Sequence, residues 1–243
     1  MELQGRKALV TGGAVRVGRE LCLRLASLGA DVALLSREET GAAAETAREL
    51  AALGVRSAVV AGDLLKAETP ARAVAEAREA LGGLDILVNN ASIFEHDDLA
   101  GLDLDAWSRT QRVNLRAPLL LSKAFAAALP ADGAGDIVNL NDIQALRPRA
   151  GYLSYTHSKA SLHALTGNLA AALAPRIRVN EIALGAVLPP AAPPDGYAHT
   201  ARADLPLDRF PTPGDVADAL EFLLRCGAVT GQTIMIDGGQ HLV

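Results

Sequence analysis

Two side chains four residues apart carry the first sign of chemistry in this sequence. Tyr155 and Lys159, in the stretch YTHSK, recur at helical spacing and so share one face, one turn apart. A phenol has a pKa of about 10 and is a slow acid at neutral pH. A nearby ammonium favours the phenolate. The pairing therefore predicts that Lys159 lowers the pKa of Tyr155 and makes its proton easier to give up. The type of cation is informative. Lysine occurs only at Lys7, Lys66, Lys123 and Lys159, in a chain that otherwise chooses arginine. An ammonium is compact and can also hydrogen-bond ribose hydroxyls. A chance tyrosine–lysine pair on a helix would look the same, so the pair needs a setting.

That setting begins at VTGGAVRVG, residues 10 to 18. An apolar run ends, a glycine-rich turn follows, and a helix pattern starts at Val17. Gly12 permits a tight turn, and Gly18 lets the helix pack close to the sheet. The start of the helix then offers N–H groups and a partial positive charge to a pyrophosphate. Two glycines in a strand–turn–helix are a weak signal alone. The middle glycine of the usual dinucleotide pattern is absent, and Arg16 stands there instead. Its fork of donors suits a phosphate oxygen or the acceptors of a flat heterocycle. An arginine pointing into solvent is the plain alternative. Gly12, Arg16, Val17 and Gly18 are thus candidate cofactor residues.

The next apolar run, DVALLS, leads into Ser36-Arg37. An NAD site wants an acidic residue here for the ribose 2′-hydroxyl, whereas serine and arginine favour the 2′-phosphate of NADP. Such a charge-assisted contact contributes about 1.5–3 kcal/mol. Glu38 and Glu39 follow at once. They are expected to open a helix and complement its dipole rather than face the phosphate.

The elements that must position these residues can be followed along the chain. Strands are expected at KALVT, DVALLS, SAVVAG, LDILVNN, GDIVNLN, IRVNEIAL and TIMID. Helices are expected over residues 17 to 28, 38 to 53, 68 to 81, the long stretch YLSYTHSKASLHALTGNLAAAL, and 214 to 225. Strands this apolar are buried on both faces. Strict alternation of strand and helix predicts an α/β fold with a doubly wound, mostly parallel sheet of about seven strands and helices on both faces. No linker interrupts it, so residues 1–243 are expected to form one domain. Ligands of such sheets bind beyond the C-terminal strand ends. The Pro-rich stretch LPPAAPPDG at 188 to 196, within a loop of about 185–212, is therefore expected to be a substrate lid, with a loop spacer as the alternative.

Composition narrows the partners. Half of the chain is hydrophobic and only 3 % is aromatic, so the core must be aliphatic. A net charge of −5 argues against nucleic acid. Cys22 and Cys226 lie far apart without metal-ligand spacing, which points to two buried thiols in a reducing compartment and no metal. The N-terminal MELQGRKALV has no secretory h-region, and no apolar run reaches about 18 residues. A soluble cytoplasmic protein with a small-molecule substrate is expected.

TGxxxxxG, GDL at 62 to 64, NNAS at 89 to 92, Asn114, YTHSK and GQTIMIDGG occur in an order that resembles the short-chain dehydrogenases/reductases, over essentially the whole chain. The resemblance implies a Rossmann fold, a nicotinamide cofactor, and hydride transfer with Tyr155 as proton donor. It implies that Lys159 holds the nicotinamide ribose and tunes Tyr155, and that Asn114 supports a proton-relay water. Asp63 and Leu64 would border the adenine, and Asn90, Ala91 and Ser92 would line the cofactor, as would Gly185 and Leu188 after the sixth strand. It also implies a homotetramer, with the last helix and strand at one interface.

The chain departs from the common pattern of that family. Most members carry a serine thirteen residues before the tyrosine, to hold a substrate carbonyl; here the position is Asp142, in VNLNDIQ. A charged carboxylate would repel a developing oxyanion, but it suits a substrate with N–H donors or the passage of a proton to a ring nitrogen. A degenerate, inactive site is the alternative. Arg16, Ser92 and Phe94 in NNASIF, Asp142 and AVLPPA together resemble the pteridine reductases. That likeness implies NADPH and a pterin or dihydropterin substrate. Arg16, Ser92, Phe94, Asp142, Tyr155 and Leu188 would bound the pocket, with Phe94 stacking on the bicyclic ring. Two alternatives stay open: a reductase of another small carbonyl or imine, and a non-catalytic nucleotide-binding scaffold. Leu184-Gly185 stands where the wider family has Pro-Gly, which leaves the loop there without a precedent.

Overall fold

A computed structural model describes residues 2–188 and 205–243 of the chain. Seven strands, β1 (Lys7–Thr11), β2 (Asp31–Ser36), β3 (Ser57–Ala61), β4 (Ile86–Asn89), β5 (Gly135–Asp142), β6 (Ile177–Leu184) and β7 (Thr233–Ile236), form one sheet in the order β3-β2-β1-β4-β5-β6-β7. Every pairing is parallel. The described helices are α1 (Arg16–Ser27), α2 (Ala42–Ala52), α3 (Thr69–Leu81), α4 (Leu104–Gln111), α5 (Ala117–Ala128), α6 (Leu153–Leu173) and α7 (Pro213–Arg225). Fold class and strand positions agree with the alternation expected from the sequence.

The period of two along each strand explains the layering. On β1, Ala8 and Val10 point into one core with Leu21 and Leu25 of α1, Leu50 of α2 and Leu220 of α7. Leu9 between them points into the other, with Ala77 of α3 and Leu121 and Phe125 of α5. Both cores are aliphatic apart from Cys22 and Phe125. Cys22 lies fully buried in the first core, where burial pushes its thiol pKa up, whereas Cys226 is only partly buried rather than enclosed as expected.

The strand order reverses between β1 and β4. The chain leaves β1 toward β2 on one side and leaves β4 toward β5 on the other, so the two following loops part and open a crevice at the C-terminal strand ends.

Three expectations need correction. The second helix starts at Ala42, not at residue 38, because Gly41 takes φ +60° at its N-cap. Glu38 and Glu39 thus lie in the turn before it, and the acid in its first turn is Glu45. Residues 104–128, to which the apolar pattern assigned no element, fold as α4, a π-helical turn at Arg112–Arg116 and α5. The missed signal is an N-cap: Asp103 accepts from the Asp105 amide at 2.9 Å. Pro118 in α5 masks the rest, since proline inside a helical pattern normally marks its end. Of the expected lid, residues 189–196 lie outside the described residues.

Candidate active site

The crevice is a cleft of about 760 Å³ that runs from Ser36 and Arg37 to Tyr155 and Lys159. Its floor is the turn after β1. Gly12 has φ +65°, and a Cβ there would sit 3.1 Å from the Asn90 amide. A Cβ on Gly18 would collide with the Gly12 carbonyl and lie 2.6 Å from Asn90 Nδ2. The turn is pinned to the end of β4 by two residues that spacing alone did not single out together. Thr11 Oγ1 accepts from the Asn90 and Ala91 amides at 2.9 and 3.0 Å, and Asn90 Nδ2 donates to the Thr11 carbonyl at 2.8 Å. Helix α1 opens at Val15 without a side-chain cap and with no acidic residue in its first turn. Its N–H groups and dipole therefore face the cleft uncompensated by the helix's own side chains.

Arg16 occupies the first position of α1 with φ +54°, in the left-handed region. A glycine would take this conformation without strain; a residue with a Cβ gives up about 1–2 kcal/mol. The backbone here is thus still shaped as a glycine turn, while the side chain is an exposed guanidinium lining the cleft. Val17 and Gly18 line it as well.

At the far end, Ser36 is half-buried and Arg37 is exposed, both lining the cleft. Glu38 lines it too, so it shares the space that Arg37 faces. Asp63 accepts from the Leu65 amide at 2.9 Å, which sets the turn that brings Leu64 to the cleft wall.

At the other end, three side chains converge. Tyr155 and Lys159 lie one turn apart on α6, and Asp142 ends β5. The Tyr155 hydroxyl donates to Asp142 Oδ2 at 2.9 Å, and the Gln144 amide donates to Oδ1 at 2.8 Å. Lys159 Nζ donates to the Leu140 carbonyl at 2.8 Å and lies 5.6 Å from the Tyr155 ring centroid. Burial pushes the Asp142 pKa up, against the Gln144 amide, Lys159, Tyr155 and Arg149, which pull it down. Burial pushes Lys159 down to about 8, opposed by Asp142 and Glu181. The expectation that Lys159 lowers the Tyr155 pKa is not met. Burial and the facing Asp142 carboxylate hold that phenol well above its ordinary value. The protein alone therefore keeps the proton on Tyr155.

Phe94 and Asn114 do not line the cleft. Phe94 is 52 % exposed and stacks on Tyr152 at 4.7 Å, with its ring edge-to-face on Tyr155 at 4.6 Å. Tyr152, which the sequence did not point to, thus backs one face of Phe94. Asn114 is buried in the π turn, where its amide pairs with both the N–H and the carbonyl of Ile93 and donates to Ser158 Oγ at 3.0 Å. It ties the loop after β4 to α6. Pro118, four residues on, has no N–H to give the Asn114 carbonyl. Ser92, Gly185 and Leu188 line the cleft. Gly185 continues from β6 with its N–H on the Ile236 carbonyl at 3.0 Å, and a Cβ on it would lie 2.7 Å from Asp237.

Comparison with known proteins gives this geometry its family. The family model described as enoyl-(acyl carrier protein) reductase matches residues 13–241. The chain belongs to the short-chain dehydrogenase/reductase family. Like its relatives, this reductase is an NAD(P)-dependent oxidoreductase. It is 33 % identical to the L-rhamnose 1-dehydrogenase (NAD(P)(+)) of Sphingomonas sp. (strain SKA58), over 99 % of this chain and 98 % of that one. Among solved structures it is similar to FolM alternative dihydrofolate reductase 1 from Brucella canis complexed with NADP, at 35 % identity and TM-score 0.93, covering 100 % of this chain and 97 % of that chain. It is also similar to a short chain dehydrogenase from Burkholderia cenocepacia J2315 in complex with NADP, at 37 % identity and TM-score 0.92, covering 99 % of both chains.

The short-chain reductase fits its nicotinamide cofactor on its own geometry. The Gly12–Gly18 approach leaves no room for side chains where a pyrophosphate would pass, and the uncapped start of α1 supplies donors for it. No described helix is long and apolar enough to cross a membrane.

Proposed function

We propose that this enzyme uses NADPH to reduce a pterin or dihydropterin ring. The observation that carries the proposal is the 2.9 Å hydrogen bond between Tyr155 and a carboxylate, Asp142, at the position where a hydroxyl would serve a ketone. The resemblance to FolM alternative dihydrofolate reductase 1 supports it. Ser36 and Arg37 at the end of β2 support NADPH, through a charge-assisted contact to the 2′-phosphate.

The bound nicotinamide supplies the hydride. The chain's own residues bind, orient and protonate. Asp142 accepts from the amino and ring N–H groups of a pterin through the carboxylate oxygens it now turns to Tyr155 and Gln144. Tyr155 gives its proton to the ring nitrogen beside the reduced carbon. Lys159 holds the resulting phenolate and the ribose hydroxyls, and a solvent proton relayed through the water at Asn114 restores Tyr155. Arg16 reaches a cofactor phosphate at the rim of the pocket, and Phe94, which stacks on Tyr152 and packs against Tyr155, stacks on the pterin ring at the pocket's edge. Asp63, Leu64, Asn90, Ala91, Ser92, Gly185 and Leu188 border the cofactor, and Asn114 holds the relay water.

A second assignment is favoured by the sugar dehydrogenase relative: a small carbonyl or imine as substrate. A panel of dihydrobiopterin, dihydrofolate and simple ketones with NADPH separates the two. Pterin reduction that is lost in Tyr155→Phe, with NADPH binding retained, is expected. Turnover of ketones alone would end the pterin assignment. A homotetramer, which the family resemblance implies, would pair the edge strand β7 and half-exposed Phe222 on α7 with neighbouring subunits, and light scattering checks the assembly.

A further inference from the structure

Behind the site lies a buried carboxylate that the chemistry above does not use. Glu181 sits in β6, between β5 and β7, and is 1 % exposed. A carboxylate enclosed in a sheet is costly unless its oxygens are filled with donors, and an apolar residue would serve a merely structural position. Here both oxygens are filled. Thr233 Oγ1 donates to Oε1 at 2.7 Å, and His163 Nδ1 lies 2.6 Å from the same atom. Asn141 Nδ2 donates to Oε2 at 3.0 Å, and Thr166 Oγ1 lies 3.1 Å away.

The Asn141 contact leads to the site. The same Nδ2 donates to the Lys159 carbonyl at 3.2 Å, and Oδ1 accepts from the Asp142 amide at 3.0 Å. One amide thus holds the main chains of both Lys159 and Asp142. Flipping it would set its oxygen against the carboxylate and the Lys159 carbonyl, so Glu181 adds to what fixes the way it faces.

We propose that Glu181 is a positioning residue. It orients the Asn141 amide that fixes Lys159 relative to Asp142, and its charge helps keep the Lys159 ammonium in a buried site. The inference rests on the assignment of Lys159 and Asp142 to the reaction. Lys159 is faced by Asp142 from β5, Glu181 from β6 and Tyr155 on its own helix. His163, one turn further along α6, faces Glu181, and Arg149 acts on Asp142. The downward pull of burial on Lys159 is opposed by Asp142 and Glu181 alone among these groups.

The chain's four lysines make Lys159 readable by NMR of ε-carbon-labelled lysine, with Lys159→Arg identifying its signal. Glu181→Gln keeps the side chain's shape and removes its charge. In this variant Lys159 is expected to titrate about one unit lower, a tenfold loss in proton affinity, with the melting curve still cooperative. A folded Glu181→Gln protein whose Lys159 titrates as in wild type overturns the proposal. Should that variant not fold, Asn141→Ser decides. It releases the Lys159 carbonyl and the Asp142 amide while Glu181 keeps its other three partners. A moved Lys159 signal and titration support the link, and spectra identical to wild type overturn it. These spectra need no substrate, so a protein that ignores dihydropterins refutes the pterin assignment while this test stands.

Discussion

The Tyr155 hydroxyl donates to Asp142 Oδ2 across 2.9 Å, joining the first turns of α6 to the last residue of β5. Tyr155 is buried and Asp142 half-buried, and burial favours the protonated form of each. The pair therefore keeps a proton at the end of the cleft where a substrate ring would lie. A serine at position 142 would make the same contact with less acceptor capacity and no proton of comparable acidity.

Asp142→Ser is the sharpest consequence. Pterin reduction should fall by about 10²–10⁴-fold, the usual range for a lost general acid–base partner. Ketone reduction should hold or rise, because the hydroxyl no longer repels a developing oxyanion. kcat/KM for dihydrobiopterin and for a ketone, in both proteins, checks this; pterin activity that survives the substitution contradicts the mechanism.

The alkaline pH dependence should belong to Lys159. Burial brings its pKa from 10.5 down to about 8 in the folded protein, so the ammonium that receives the phenolate is lost as pH rises through about 8. kcat/KM should decline there. In Lys159→Arg the cation does not titrate in this range, and the decline should vanish from whatever activity remains. Persistence of the same limb in that variant would reassign it. Stability responds in the opposite sense. The unfolded chain binds this proton more tightly, so the contribution of Lys159 to stability rises with pH between about 8 and 10.5. Tyr155, with its raised pKa, contributes stability that is lost only at pH values above its ordinary 10.0.

Arg37→Ala should raise the KM for NADPH about ten- to a hundredfold and leave that for NADH nearly unchanged. Glu38 lines the same part of the cleft, so Glu38→Gln should move NADPH in the other direction, toward a lower KM. Equal responses of the two cofactors to Arg37→Ala would remove the case for a 2′-phosphate contact.

Arg16 separates strain from binding. Its φ of +54° makes glycine the better-fitting residue, so Arg16→Gly should be more stable than Arg16→Ala by roughly 1 kcal/mol in urea unfolding. Both variants should bind NADPH more weakly than wild type. An alanine variant as stable as the glycine variant would mean that the backbone relaxes out of the left-handed region.

Much was legible in the sequence because it depends on residues close together along the chain. Strand–helix alternation is a matter of local period. The Tyr155–Lys159 spacing is one helical turn, and the turn at Gly12 and Gly18 is short enough that its steric needs can be read directly. Where such signals were overridden, the cause was also local: Gly41 delays α2, and Pro118 hides α5 behind a π turn. The remainder depends on pairings between distant segments. Parallel pairing of β5 with β6 sets Asn139 opposite Glu181 and Asn141 opposite Ala183, and so joins Glu181 to Asn141, 40 residues away, and to Thr233, 52 away, in one polar network. The apolar runs that predicted those strands say nothing about it. The Tyr155 pKa likewise follows from enclosure by the whole fold. A pair of residues can be read from spacing, but the dielectric around it, and which of two neighbouring charges dominates, are set only when the sheet and helices close over the site.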